Sequence, residues 1–175
     1  MKKYTSKLIC ALACALLVLM DQLTKNWMVA NLKGRENIVW IKNVFELEYL
    51  ENNGAAFSSF MGKQGFLITL TVIVTLVALI EFIRIPESKH YAWLHVAFML
   101  LIAGALGNLI DRVKQGYVVD FFYFVPINFP RFNVADICVT LAVPIFLILF
   151  FFVYKEEETE FLFKFKKADK KSRMT

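Results

Sequence analysis

Four apolar runs, each long enough to cross a lipid bilayer, constrain this chain more than anything else in it. They fall at about residues 8–30, 66–85, 91–110 and 135–154. A helix needs roughly 20 apolar residues to span the ~30 Å hydrocarbon layer, and every run supplies them. Composition agrees, with 58% hydrophobic residues and 18 Phe where a soluble domain averages about 45–50% apolar. The expected fold is membrane all-α: four transmembrane helices forming one integral-membrane domain over 1–155, followed by a charged tail over 156–175.

Charge orients the spans. Lys2, Lys3 and Lys7 precede the first run, Arg84 and Lys89 flank the short loop after the second, and seven Lys or Arg lie from Lys155 onward. Basic flanks mark the cytoplasmic side, so both termini are expected inside the cell. The stretches 31–65 and 111–132 then lie outside. The sequence Ala11–Cys14 hints at a cleavage box, but the apolar run continues past Cys14, so it reads as a first span rather than a removable leader. The net charge of +5 is spread over the polar ends, without the basic, aromatic-interleaved patch of a nucleic-acid binder. Cys10, Cys14 and Cys138 sit inside apolar runs and read as small buried hydrophobes.

Polar residues collect where the spans meet the outer boundary. Asp21 lies about 20 Å along the first helix, still within the hydrocarbon depth, with Lys25 one turn on and able to pair with it. Phe45 to Tyr49 alternates as a half-buried strand does. Asn53-Gly54 reads as a hairpin turn, and Gly54-Ala55-Ala56 as a place where an extended chain can approach the backbone closely. Asn108, Asp111 and Arg112 close the third span, beside the small Gly104 and Gly107. Asp111 with Arg112 reads equally well as a capping ion pair or as part of a site. Asp120 stands between Val118-Val119 and Phe121-Phe122, which does not suit a solvated acid, and the aromatic stretch 121–132 is expected as a loop in the membrane interface. Asn133 and Asp136 have the spacing of a helix N-cap with an acid in the first turn. Glu81 stands alone near the inner end, His90 and His95 have no evident partners, and a kink is expected near Pro144.

Acids gathered at one depth of a membrane protein are costly unless they serve chemistry or transport. Two carboxylates held close in an apolar setting share one proton; the ionised member can deprotonate water while the protonated member polarises a carbonyl. That chemistry needs no metal and no cofactor, and no metal-ligand spacing, G-x-S-x-G or phosphate loop is present. A proton-coupled carrier also uses intramembrane acids, but these cluster at one face with no relay inward. The residues alone do not choose Asp120 over Asp111.

Five boxes carry a resemblance. D-Q-x-x-K at Asp21–Lys25, N-x-G-A-A-F at Asn52–Phe57, G-N-L-I-D-R at Gly107–Arg112, V-V-D-F at Val118–Phe121 and F-N-V-A-D at Phe132–Asp136 together resemble the lipoprotein signal peptidase (signal peptidase II) family. The resemblance implies an intramembrane aspartic endopeptidase of the bacterial plasma membrane, cutting diacylglyceryl-modified prolipoproteins before the lipidated cysteine. Asp120 and Asp136 match the family's catalytic aspartates. Asp21, Lys25, Asn52, Gly54, Asn108, Asp111, Arg112 and Asn133 match its supporting residues. It further implies a small extracytoplasmic β-sheet between helices 1 and 2 cradling the substrate, membrane lipids as surroundings, and a chain that acts as a monomer. Ala103-Gly104 stands where a Gly-Gly pair is common in the family, which should affect only packing.

Overall fold

The fold is that of a computed structural model, which describes residues 5–54 and 64–162. Its elements in chain order are α1 (Thr5–Leu32), β1 (Ile38–Ile41), β2 (Phe45–Asn52), α2 (Gln64–Arg84), α3 (Ala92–Gln115), β3 (Val118–Phe124) and α4 (Val134–Ile148), with a π-type turn over Leu149–Val153. Four helical segments are long and apolar enough to cross a membrane: Ser6–Leu32, Gln64–Arg84, Lys89–Gln115 and Val134–Val153.

α3 is the central helix, and α1, α2 and α4 pack around it. Half of its apolar stretch is buried, against 11% for α1, 22% for α2 and 17% for α4. The other three therefore turn rows of large apolar side chains outward, such as Leu8, Leu12, Leu16 and Leu23 on α1. In lipid this is the stable arrangement, because helices satisfy their own backbone and need no polar outer face. Close approach of α3 to α4 depends on Gly104. A Cβ there would collide with the Ala135 carbonyl oxygen and the Val139 side chain.

At one end of the bundle the three strands form an antiparallel sheet in the order β1-β2-β3. The β1–β2 hairpin turns at Asn43, in the left-handed region at φ 60° that Asn tolerates. Gly116, at φ 81°, ends α3 with its N–H bonded to the Arg112 carbonyl, and turns the chain straight into β3. β3 pairs with β2 from Phe45↔Phe124 to Asn52↔Val118. Met28 and Leu32 of α1, Leu47 of β2, and Val119 and Phe121 of β3 form the small core that fixes sheet to bundle.

Several expectations need correction. The sheet is not made only from the connection between helices 1 and 2. Residues 118–124 supply its third strand, so the stretch 121–132, expected as an interfacial loop, begins as part of a strand. The Asn53-Gly54 pair is not the tip of the described hairpin, which lies at Asn43, and Ala55 to Phe57 fall outside the described residues. α3 runs on to Gln115, so Asp111 and Arg112 lie inside the helix. Pro144 sits within α4, and the change of winding comes later, at Leu149. Glu81 is not alone, since it pairs with Arg84 at 3.0 Å. His90 also has a partner, Glu158 at 3.0 Å. The start of the charged tail folds back instead of running free: Tyr154 and Leu162 are buried with Ile85 and Leu94. The tail's basic residues from Lys164 on lie outside the described residues.

Candidate active site

At the sheet end, α1 contributes a polar stripe to an otherwise apolar helix. Asp21 and Lys25 are one turn apart, and both are almost wholly buried, at 1% and 2% exposure. The Lys25 ammonium lies 2.9 Å from an Asp21 oxygen, 2.9 Å from an Asp111 oxygen and 2.9 Å from Asn108 Oδ1. One buried cation therefore neutralises two buried acids and still orients an amide, which meets the requirement that buried charge be paired. The ion-pair partner of Asp111 is thus Lys25 of α1 and not the adjacent Arg112.

The two acids also reach other elements. Asp21 Oδ1 accepts the Ala135 N–H at 2.9 Å, tying α1 to the first turn of α4. Asp111 Oδ2 accepts the Val119 N–H at 3.2 Å, tying α3 to β3. Gly107 makes room for this crossing, since a Cβ there would lie 2.6 Å from Asp21 Oδ2.

β3 and α4 supply the remaining acids. Asp120 is 1% exposed in the middle of β3. Asn133 caps α4 in a reciprocal capping box with Asp136, as its spacing predicted. The same Asn133 side chain donates to Asp120 Oδ1 at 2.6 Å, while its backbone N–H donates to Asp136 Oδ2 at 3.0 Å. One residue thus holds both carboxylates. Asn52 Nδ2 bonds the other Asp120 oxygen at 2.8 Å, and Asn108 Nδ2 bonds the other Asp136 oxygen at 2.8 Å. Asn52 and Asp120 are diagonal neighbours on one face of the β2–β3 ladder, which is why they meet. Burial, then the charge of Asp136, pushes the Asp120 carboxyl up to about 7 despite its two amide donors.

Arg112 reaches across to the Gly54 carbonyl at 3.1 Å, and the Gly54 N–H bonds Asn52 Oδ1 at 2.9 Å. Asp21, Lys25, Asn52, Gly54, Asn108, Asp111, Arg112, Asp120, Asn133 and Asp136 therefore lie in one continuous network. Gln22 belongs to it and was missed. Its amide donates to Asp111 Oδ1 at 2.9 Å and to the Gly107 carbonyl at 3.2 Å. A polar residue next to Asp21 in an apolar run was the available signal. Among the described residues no group of three or more His, Cys, Asp or Glu is placed to hold a metal ion.

Comparisons with known proteins agree with one another. The family described as signal peptidase (SPase) II matches residues 13–152. A lipoprotein signal peptidase of Lactococcus lactis subsp. lactis is 44% identical over 82% of this chain and 91% of its own length. One from Clostridium tetani is 41% identical over 82% of this chain and 90% of its own. A solved bacterial membrane enzyme superposes with a TM-score of 0.72 at 32% identity, over 95% of this chain and 98% of that one. With four spanning helices and these neighbours, the chain is a multi-pass membrane protein. It belongs to the signal peptidase II family of peptidases.

Proposed function

We propose that this chain is an aspartic endopeptidase of the bacterial plasma membrane that removes signal peptides from diacylglyceryl-modified prolipoproteins, cutting before the lipidated cysteine. The carrying observation is that Asn133 bridges two aspartates from different elements, the buried Asp120 and the part-buried Asp136. Neither has a cation as a direct partner, because Lys25 is committed to Asp21, Asp111 and Asn108. Two such carboxylates cannot both ionise easily, so they share a proton around one water. The ionised member deprotonates that water as its oxygen bonds the scissile carbonyl carbon. The protonated member passes its proton to the carbonyl oxygen and the tetrahedral intermediate forms. Collapse breaks the C–N bond, with a proton delivered to the leaving amine.

Supporting groups have matching placements. Arg112 Nε is buried without a partner among the described residues, a donor free for a substrate carbonyl, while Arg112 and Asn52 together fix Gly54. An apolar cavity of about 350 Å³ lies between α2, α3 and α4, lined by Val77, Phe98, Leu101 and Phe146. Leu101 is two turns from Asn108 on the same face of α3, so the cavity lies on the side of the bundle below the dyad. A signal helix and acyl chains reach the site sideways from the bilayer. Basic flanks at Lys7, Arg84 and Lys89 support termini and tail in the cytoplasm, which puts the sheet and dyad near the outer face. A site complete within one chain supports action as a monomer.

The test is cleavage of a purified diacylglyceryl prolipoprotein in bilayers with chelator present, comparing wild type with Asp120→Asn and Asp136→Asn. Wild type is expected to release the signal peptide before the lipidated cysteine, and both variants to be inactive but folded. Substantial activity in either variant would sink the assignment.

A further inference from the structure

The donors around the dyad are not free to turn, and this fixes more than its position. Lys25 and backbone N–H groups can only donate. Asn108 Oδ1 faces the Lys25 ammonium, so its NH2 is committed to Asp136. Asn133 Oδ1 faces the Asp136 N–H at 2.9 Å, so its NH2 is turned to Asp120 Oδ1 at 2.6 Å and also to Asn108 Oδ1 at 3.1 Å. Asn52 Oδ1 faces the Gly54 N–H, which commits its NH2 to Asp120 as well. All four carboxylate oxygens therefore receive donors whose direction is set elsewhere.

These donors differ in strength. Asp136 takes a backbone N–H in the first turn of α4, where the helix dipole favours negative charge, and an amide polarised by a cation. Asp120 takes two neutral side-chain amides in the middle of a strand, between Val119 at 1% and Phe121 at 0% exposure. The other charged groups facing the pair are Asp21 and Lys25 from α1 and Asp111 and Arg112 from α3, while β2 presents the neutral Asn52.

Resting on the dyad reading above, we infer that Asp120 carries the shared proton and is the general acid, that Asp136 is the ionised general base, and that Lys25 is the positioning residue that imposes this through Asn108. Asp136 takes a proton from water while the water oxygen bonds the carbonyl carbon. Asp120 gives its proton to the carbonyl oxygen. On collapse Asp136 returns its proton to the leaving nitrogen as the C–N bond breaks, and a hydroxyl of the intermediate reprotonates Asp120. The products are a carboxylic acid and an amine, and the dyad is restored. The raised carboxyl of Asp120 agrees with this assignment.

The pH profile of kcat/KM for prolipoprotein cleavage tests it, because the acidic limb reports the base and the alkaline limb the acid. Asn52→Ala removes a donor from the Asp120 anion alone and should raise the alkaline limb by about one pH unit while the acidic limb stays. Asn108→Ala should raise the acidic limb by about as much and move the alkaline limb less, since Asn108 also accepts from the Asn133 amide that holds Asp120. Thermal unfolding checks that each variant folds, and either one suffices if the other does not. An Asn52 variant that moves the acidic limb as far as the alkaline one or farther, or an Asn108 variant that moves the alkaline limb as far as the acidic one or farther, would overturn the assignment while leaving the peptidase reading intact. An inert but folded wild type would instead remove the peptidase reading itself.

Discussion

The two ends of the bundle both bury acids, and they treat them differently. At the end opposite the sheet, Glu81 is 1% exposed and pairs with Arg84, one turn along the same helix and 25% exposed. Nearby, Lys7 Nζ donates to the Ile83 carbonyl at 2.6 Å, and His90 meets Glu158 where both are part-exposed. These charges have local partners at the edge of water. At the sheet end the buried cation Lys25 is spent on Asp21 and Asp111. Asp120 and Asp136 are left with amides as direct partners. An acid with its own cation is structural; an acid given only neutral donors and a second acid is poised to exchange a proton.

The largest expected effect breaks that contrast at the dyad. Asp120→Asn or Asp136→Asn should lower the cleavage rate by roughly 10³-fold or more, in line with loss of an acid or base. The fold should persist. Asp120 also predicts a pH signature in stability. Its folded-state carboxyl lies near 7, above its unfolded value, so the folded chain binds the extra proton and loses stability as pH rises from about 4 to about 7. Asp120→Asn should flatten the thermal unfolding midpoint over that window. An unchanged pH dependence would mean that Asp120 ionises freely.

Next in size is Lys25→Met, which leaves Asp21 and Asp111 buried without a cation. Breaking a buried pair this way costs about 3–5 kcal/mol, and the melting temperature should fall by on the order of 10 °C. Adding Asp21→Asn and Asp111→Asn to the same chain should recover part of that loss. If Lys25→Met melts like wild type, the cluster is not the ionic clamp described here.

Much of the site was legible in the sequence because its elements announce themselves locally. Asn133 with Asp136 is a capping signature, Asp21 with Lys25 is a same-face pair, and apolar neighbours made Asp120 anomalous. The third strand was not legible. Residues 118–124 are aromatic and β-branched, which suits a membrane interface as well as a strand, and only pairing with β2 decides between them. The partner of Asp111 was equally hidden. Arg112 is adjacent in sequence, but consecutive residues on a helix do not face each other, and the real partner is Lys25 on another helix. The resemblance named Asp120 over Asp111; the residues could not, since the difference lies in which one a distant lysine neutralises.

A smaller effect is expected at the helix crossing. Gly107→Ala places a Cβ 2.6 Å from Asp21 Oδ2 and 3.0 Å from the Ala135 Cβ. Overpacking of this kind costs about 1–3 kcal/mol. Because Asp21 holds the Ala135 N–H, activity should fall along with stability. A variant that melts lower yet cuts at the wild-type rate would separate the crossing from the dyad's geometry.

The smallest effect belongs to the opposite end. Glu81→Gln keeps the size and hydrogen-bonding capacity of the side chain and removes its charge. With Arg84 part-exposed and able to turn to water, the loss should be about 1 kcal/mol. Cleavage should stay within about twofold of wild type, because Glu81 lies near the C-terminal end of α2, paired with Arg84, at the end of the bundle away from Asp120. The measurement pairs thermal unfolding with the prolipoprotein assay. If Glu81→Gln slows cleavage as much as Lys25→Met does, the two ends are coupled through α3, and a buried carboxylate with its own cation is not a sufficient mark of a structural role in this fold.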